Sequence, residues 1–209
     1  MDMHSASDPF AVTSVEALEA LHAQPSELVR RKAVHRIDPL TRGFIAASPF
    51  VLIGTNGARG IHITPRGDAA GFVEVVDETT LILPDRRGNN RLDALRDILE
   101  DNRVSLLFLV PGVGETLRVH GNARITTDPA MRARHAAQGK EPATLLVVSV
   151  TELFMQCAKA LMRSRLWDGR PRPAGLPSMG ELLASQRPGK VEAEVVDRDY
   201  PERMRSTMY

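Results

Sequence analysis

Residues 103–126 read RVSLLFLVPGVGETLRVHGNARIT. Arg103 to Val110 forms an apolar strand, Pro111 to Gly114 a turn, and Glu115 to Thr126 a return strand. The return alternates: Leu117, Val119, Ala123 and Ile125 face one way, and Arg118, His120, Asn122 and Arg124 the other. A period of two marks a half-buried strand, and a short turn between two strands makes an antiparallel hairpin. The same grammar continues outward. Upstream, the apolar run Pro49–Thr55 meets Asn56-Gly57, a pair suited to the positive φ of a tight hairpin. A return strand sets Ile61 and Ile63 against His62 and Thr64. Gly71–Val76, Asp77-Glu78 and Thr79–Leu83 read as a second hairpin. Downstream, Thr144–Phe154 is a strand whose Leu145–Val148 stretch is apolar on both faces, hence central. Strands joined by short hairpins favour a mainly β (α+β), largely antiparallel barrel with flanking helices over a Rossmann sheet.

Helices are expected around this β region. Thr13 and Glu16 have capping-box spacing ahead of a helix at 14–23, and Pro25-Ser26 restarts one. Asp38-Pro39 opens a third, through Ala47. A helix beginning near Gly88 or Asn89 carries Leu92, Leu95, Ile98 and Leu99 on one stripe. Asp128-Pro129 caps a helix to Gln138, and Ala158–Leu166 forms a short basic one. Ser178 and Glu181 suggest a capped turn before a solvated end.

Composition narrows the function. The 209 residues hold 27 Lys and Arg against 26 Asp and Glu, a net charge of +1, whereas a dedicated nucleic-acid binder usually carries a large basic excess. Hydrophobic residues at 43% and charged residues at 25% are globular values. A single cysteine, Cys157, permits no intrachain disulfide and no cysteine zinc cluster, which fits a reducing, cytoplasmic compartment. No apolar run approaches the roughly 20 residues of a membrane span. The opening MDMHSASDPF has the marks of no secretory signal. Aromatics are only 4%, so a flat ligand would find few rings to stack on.

Metalloprotease, nucleophile-elbow and P-loop strings are absent, and Gly112-Val113-Gly114 lacks the third glycine and following helix of a dinucleotide loop. The chemically informative segment is Pro84–Asp93, PDRRGNNRLD, leaving a strand and entering a helix. Helix starts attract anions, and arginine forks match phosphate oxygens in pairs. Arg86, Arg87, Arg91, Asn89 and Asn90 thus make an anion-site candidate; the alternative is a solvated turn neutralised by Asp85 and Asp93. At Thr64–Asp68, Arg66 extends beyond a strand end, or simply pairs with Asp68 in a β-turn. Lys159 and Arg163, four apart, share a helical face, where like charges favour a common anionic partner or a solvated surface. Arg30–Arg36 reads as a solvated basic face, and Cys157 as a small packing residue.

Taken together and in order, SPF at Ser48–Phe50, PRGD at Pro65–Asp68 with GFV at Gly71–Val73, PDRRGNNRLD at Pro84–Asp93, LFLVPGVGETLRVHG at Leu107–Gly121 and CAKALMRSRLW at Cys157–Trp167 resemble the FMN-binding split-barrel family related to pyridoxamine 5′-phosphate oxidase. The likeness runs from Leu28 to Trp167 and is strongest to a bacterial flavoprotein subfamily. It implies a six-stranded antiparallel split β-barrel and a homodimer with FMN at the subunit interface. Arg86, Arg87, Asn89, Asn90 and Arg91 would surround the phosphate and ribityl chain, and Thr64 and Arg66 would border the flavin. Lys159, Arg163 and Ser164 would approach from the partner subunit. Gln156 stands where that subfamily has His, and Thr64 where it has Ser. The implied organisation is an arm with a short helix (1–27), the FMN-binding split-barrel domain (28–168) and a Pro- and charge-rich extension (169–209). The expected function is an FMN-dependent oxidoreductase acting on a small molecule that the residues do not name. The alternative is a non-catalytic FMN carrier or flavin-sensing module. No nucleic acid, metal or membrane partner is expected.

Overall fold

The structure, a computed structural model, describes residues 8–209. The chain divides into two compact units, the first ending at Ala33 and the second running from Val34 to Tyr209. The first holds two exposed helices, α1 (Val15–Ala20) and α2 (Glu27–Arg30). Their caps are Ser14 and Ser26, whose side chains accept from Ala17 N and Val29 N. The expected Thr13 cap is therefore shifted by one residue.

The second unit begins with α3 (Pro39–Ala47), capped by Asp38 with Pro39 in its first turn. A single antiparallel sheet follows: β1 (Phe50–Gly57), β2 (Gly60–Gly67), β3 (Glu74–Val75), β4 (Thr80–Asp85), β5 (Arg103–Leu109), β6 (Thr116–Thr126) and β7 (Thr144–Gln156). Their order is β2-β1-β5-β6-β7-β4-β3. Seven strands stand where six were expected; the additional one, β3, is only two residues long. Helix α4 (Asp93–Glu100) joins β4 to β5, α5 (Pro129–Arg134) joins β6 to β7, and α6 (Lys159–Ser164), α7 (Met179–Gln186) and α8 (Ala193–Ser206) follow.

The sheet curls on itself. Val51 and Ile53 of β1 and Leu81 and Leu83 of β4, with three strands between them in the order, pack into one core with Leu106, Phe108, Val119 and Leu146. A flat sheet would not bring them together. Leu145 and Val147 on the opposite face of β7 join Ile82 and Met131 in a second cluster, so β7 is covered on both faces, as its apolar run requires. In β6 the expected alternation holds, with Leu117, Val119 and Ala123 buried and Asn122 and Arg124 exposed. The β6–β7 register shifts at His120/Gly121; there a side chain at Gly121 would sit 2.4 Å from the Ser149 carbonyl.

Several local expectations are corrected. The first hairpin turns at Ala58-Arg59, with Gly57 paired to Gly60, not at Asn56-Gly57. Helix α4 starts at Asp93, because Asn90 and Leu92 adopt left-handed φ values of 57° and 59°. Its inward residues are Ala94, Asp97 and Ile98, while Leu92 and Leu99 are exposed. Helix α5 ends at Arg134 rather than Gln138. The Ser178–Glu181 capping box forms, but the end beyond it is the 14-residue α8.

Candidate functional site

The curled sheet leaves a seam between β2 and β4, and the register of β2 decides what lines it. Val51, Ile53 and Thr55 of β1 point inward and pair with Arg66, Thr64 and His62. Residues directly opposite on paired strands share a face, so β2 presents its polar side chains to the barrel interior. Its apolar residues point out, leaving Ile61 80% and Ile63 69% exposed. Arg66 reaches across the seam to within 3.6 Å of Asp85 on β4. Above them the segment from Asp85 to Leu92 crosses to α4, whose buried Asp97 accepts from Thr55 Oγ1 (2.8 Å) and approaches His62 Nδ1 at 2.6 Å.

This seam opens into a cavity of about 760 Å³. Thr64, Arg66, Arg86, Arg87, Asn89, Asn90 and Arg91 all line it. Seven of the residues flagged in the sequence, 20 or more positions apart between the two segments, thus meet in one place. Lys159, Arg163 and Ser164 lie on α6, outside the cavity's lining; the Ser164 hydroxyl donates to the Leu161 carbonyl. Gln156 is engaged locally, accepting from Thr116 Oγ1 at 3.2 Å.

The arginines differ in their surroundings. Arg86 donates from Nε to Asp68 Oδ2 and from a guanidinium NH2 group to the His135 carbonyl, both at 2.6 Å. Arg91 is held by Asp93, which also takes Arg59. Arg66 donates to Thr64 Oγ1 and the Pro65 carbonyl. Arg87 is exposed and makes no ion pair among the described residues. Because Asn90 and Leu92 are left-handed, the loop stands clear of the helix, and the three arginines precede α4 rather than opposing its dipole from within.

The carboxylates titrate in opposite directions. Burial pushes the Asp85 carboxyl above its ordinary value, with Arg66 only partly offsetting it. For Asp68 burial also acts upward, but hydrogen bonds from Tyr209, the Ala69 N–H and Arg86 outweigh it and hold the carboxyl below its ordinary value. Thr144, opposite Asp85 across the β4–β7 ladder, has a buried hydroxyl with no hydrogen-bond partner among the described residues. A cavity lined by several cationic forks and two side-chain amides fits a phosphorylated, polyhydroxylated ligand.

Sequence reasoning missed Lys140 and Tyr209, which complete the lining. Tyr209 supplies the ring at this cavity; Trp167 is engaged elsewhere, donating from Nε1 to the Val113 carbonyl. No local pattern could have indicated the contact of Tyr209 with Asp68, 141 positions away. Among the described residues no group of three or more His, Cys, Asp or Glu could hold a metal ion, and no helix is long and apolar enough to cross a membrane.

Several solved structures are similar to part of this chain. HupZ from Group A Streptococcus is 17% identical, with a TM-score of 0.48 over 58% of this chain and 94% of its own. A protein related to general stress protein 26, of the pyridoxinephosphate oxidase family, from Clostridium acetobutylicum is 18% identical, with a TM-score of 0.43 over 56% and 86%. The FAD binding protein from Mycobacterium smegmatis is 18% identical, with a TM-score of 0.41 over 59% and 97%. No curated protein matches. The sequence model described as pyridoxamine 5′-phosphate oxidase matches residues 37–157, more than half of the chain. That span contains every strand of the sheet and both banks of the seam, and on it the chain belongs to the pyridoxamine 5′-phosphate oxidase family.

Proposed function

We propose that this protein is an FMN-binding flavoprotein, an oxidoreductase in which the seam cavity holds the cofactor's phosphate and ribityl chain. The observation that carries this reading is the convergence of Thr64, Arg66, Arg86, Arg87, Asn89, Asn90 and Arg91 on one cavity. The arginine forks of the cavity suit the phosphate, and the Asn89 and Asn90 amides the adjoining hydroxyls. A flavin bound there supplies hydride or electron transfer; the protein supplies position and electrostatics. The cavity is open to solvent, so one chain would not enclose a bound ring by itself. A second copy completes it in this reading: the exposed Ile61 and Ile63 form part of a homodimer contact, and the partner's α6 brings Lys159, Arg163 and Ser164. Cations close to the pyrimidine end of the ring stabilise the anionic reduced form.

The test compares FMN with riboflavin by quenching of flavin fluorescence. Charge-assisted hydrogen bonds contribute about 1.5–3 kcal/mol each, so loss of the phosphate should weaken binding by at least about tenfold. The difference should shrink as salt rises. Equal affinities would overturn the phosphate assignment.

A further inference from the structure

Two cations of the cavity are tied to the segment that follows α8. Asp68, with its side chain only 4% exposed, accepts Arg86 Nε at 2.6 Å on one oxygen. Its other oxygen accepts the Tyr209 hydroxyl at 2.7 Å and the Ala69 N–H at 2.7 Å. Lys140 Nζ donates to the Tyr209 carbonyl at 2.9 Å. Tyr209, Lys140 and Arg86 all line the cavity. The phenol and the carbonyl of one residue therefore engage, through Asp68 and directly, two cations that an anionic ligand would use.

We propose that Tyr209 is a latch, which holds the segment after α8 at the cavity and is released when a phosphate group takes Arg86 and Lys140. The physical basis is competition. A phosphate at Lys140 removes the donor to the Tyr209 carbonyl, and a ligand drawn to Arg86 meets the Tyr209 side chain, which lines the same cavity. Tyr209 then keeps only its bond to Asp68. Helix α8 has no buried residue but is held to α7 by Asp197, which accepts the Ser178 hydroxyl and the Gly180 N–H; release therefore concerns the residues after α8, none of them buried, and a segment with so little burial opens at low cost. The site thus couples ligand entry to the position of the residues that follow α8. This inference rests on the anion-cavity reading above and adds its regulation.

The experiment follows amide hydrogen exchange in residues 200–209 of the whole protein, in wild type and Tyr209→Phe, a substitution that removes only the hydroxyl. Expected is exchange at least fivefold faster in Tyr209→Phe without ligand, and faster exchange in wild type on adding inorganic phosphate than on adding chloride at equal ionic strength. FMN should also associate faster with the variant in stopped-flow quenching. Equal exchange in the two ligand-free proteins overturns the latch, as does a wild-type segment that phosphate leaves unchanged or slows. If phosphate releases the segment but FMN never quenches, the latch stands and the flavin reading falls. If FMN binds both proteins at one rate and exchange is equal, the flavin reading stands and the latch falls.

Discussion

Arg86 and Arg87 follow one another in the chain and meet different surroundings. Arg86 is 17% exposed and tied to Asp68 and the His135 carbonyl; Arg87 is exposed with no ion pair among the described residues. The two should separate in a binding experiment. Arg87→Gln should raise the dissociation constant for FMN by about 10–100-fold and leave Tm within about 1 °C of wild type, as surface changes do. Arg86→Gln should weaken FMN binding and also cost about 1–3 kcal/mol of stability, because the buried Asp68 carboxylate loses its charged partner. Thermal melts beside the flavin titration check both. Asp85 offers a test with the opposite sign. Its carboxyl titrates above its ordinary value because burial disfavours the charge. An acid whose folded pKa lies above the unfolded one penalises the fold at high pH, and the penalty disappears as pH falls through the folded pKa towards the unfolded one. Asp85→Asn should therefore raise Tm at pH 8 by roughly 2 °C, a sub-kcal effect in a chain of this length. The gain should shrink as pH falls through the folded pKa and be gone once it reaches the ordinary carboxylate value. A gain that persists on acidification would show that charge is not its cause.

At the scale of elements, α4 and the first hairpin are fitted to each other through Asp97. That carboxylate joins Thr55 of β1 and His62 of β2 to the helix, while Asn56 donates to Asp101 and the Ala58 N–H to Glu100. These ties explain why the hairpin turns later than Asn-Gly suggests. The strand must run on to Gly57 so that Asn56 and Ala58 can reach the end of α4, and Gly57 must lack a side chain because a Cβ there would lie 2.3 Å from Asp97 Oδ1. Gly57→Ala should cost about 1–3 kcal/mol, the usual range for overpacking a close contact, and a urea melt with an unchanged slope would measure it. Strand alternation was legible because each strand's pattern is written in its own residues. The start of α4 was not, since left-handed Asn90 and Leu92 are imposed by the crossing from β4. The loop chemistry of PDRRGNNRLD was readable as anion-seeking, but the meeting of that loop with Thr64 and Arg66 depends on a sheet closing across strands that never pair. Tyr209 was wholly illegible for the same reason, at longer range.

For the molecule as a whole, the near-neutral charge conceals a division of surfaces. Cations gather at the seam and again on and beyond α6, where Lys159, Arg163 and Arg165 lie within seven residues. The outer face of β2 and β1 carries the exposed Ile61 and Ile63, which with Leu52 and Leu107 line a groove of about 560 Å³ bounded by Asp101, Arg103, Arg118 and His120. Isolated exposed aliphatics are ordinary, but neighbouring ones on an edge strand are a place where chains associate. If a second copy covers it and delivers α6 to the flavin, assembly and cofactor affinity are one property. Ile63→Glu places a charge on that face without touching the core, since Ile63 is 69% exposed. Light scattering should then report half the wild-type mass, with Tm little changed. FMN affinity should fall in the same variant although every seam residue of its own chain is intact. Lys159→Met provides the complementary arm: mass unchanged, but a lower flavin reduction potential, because a cation that stabilises the reduced anion has been removed. A monomeric Ile63→Glu protein that binds FMN as tightly as wild type would confine the site to the seam of one chain and leave α6 without a part in it.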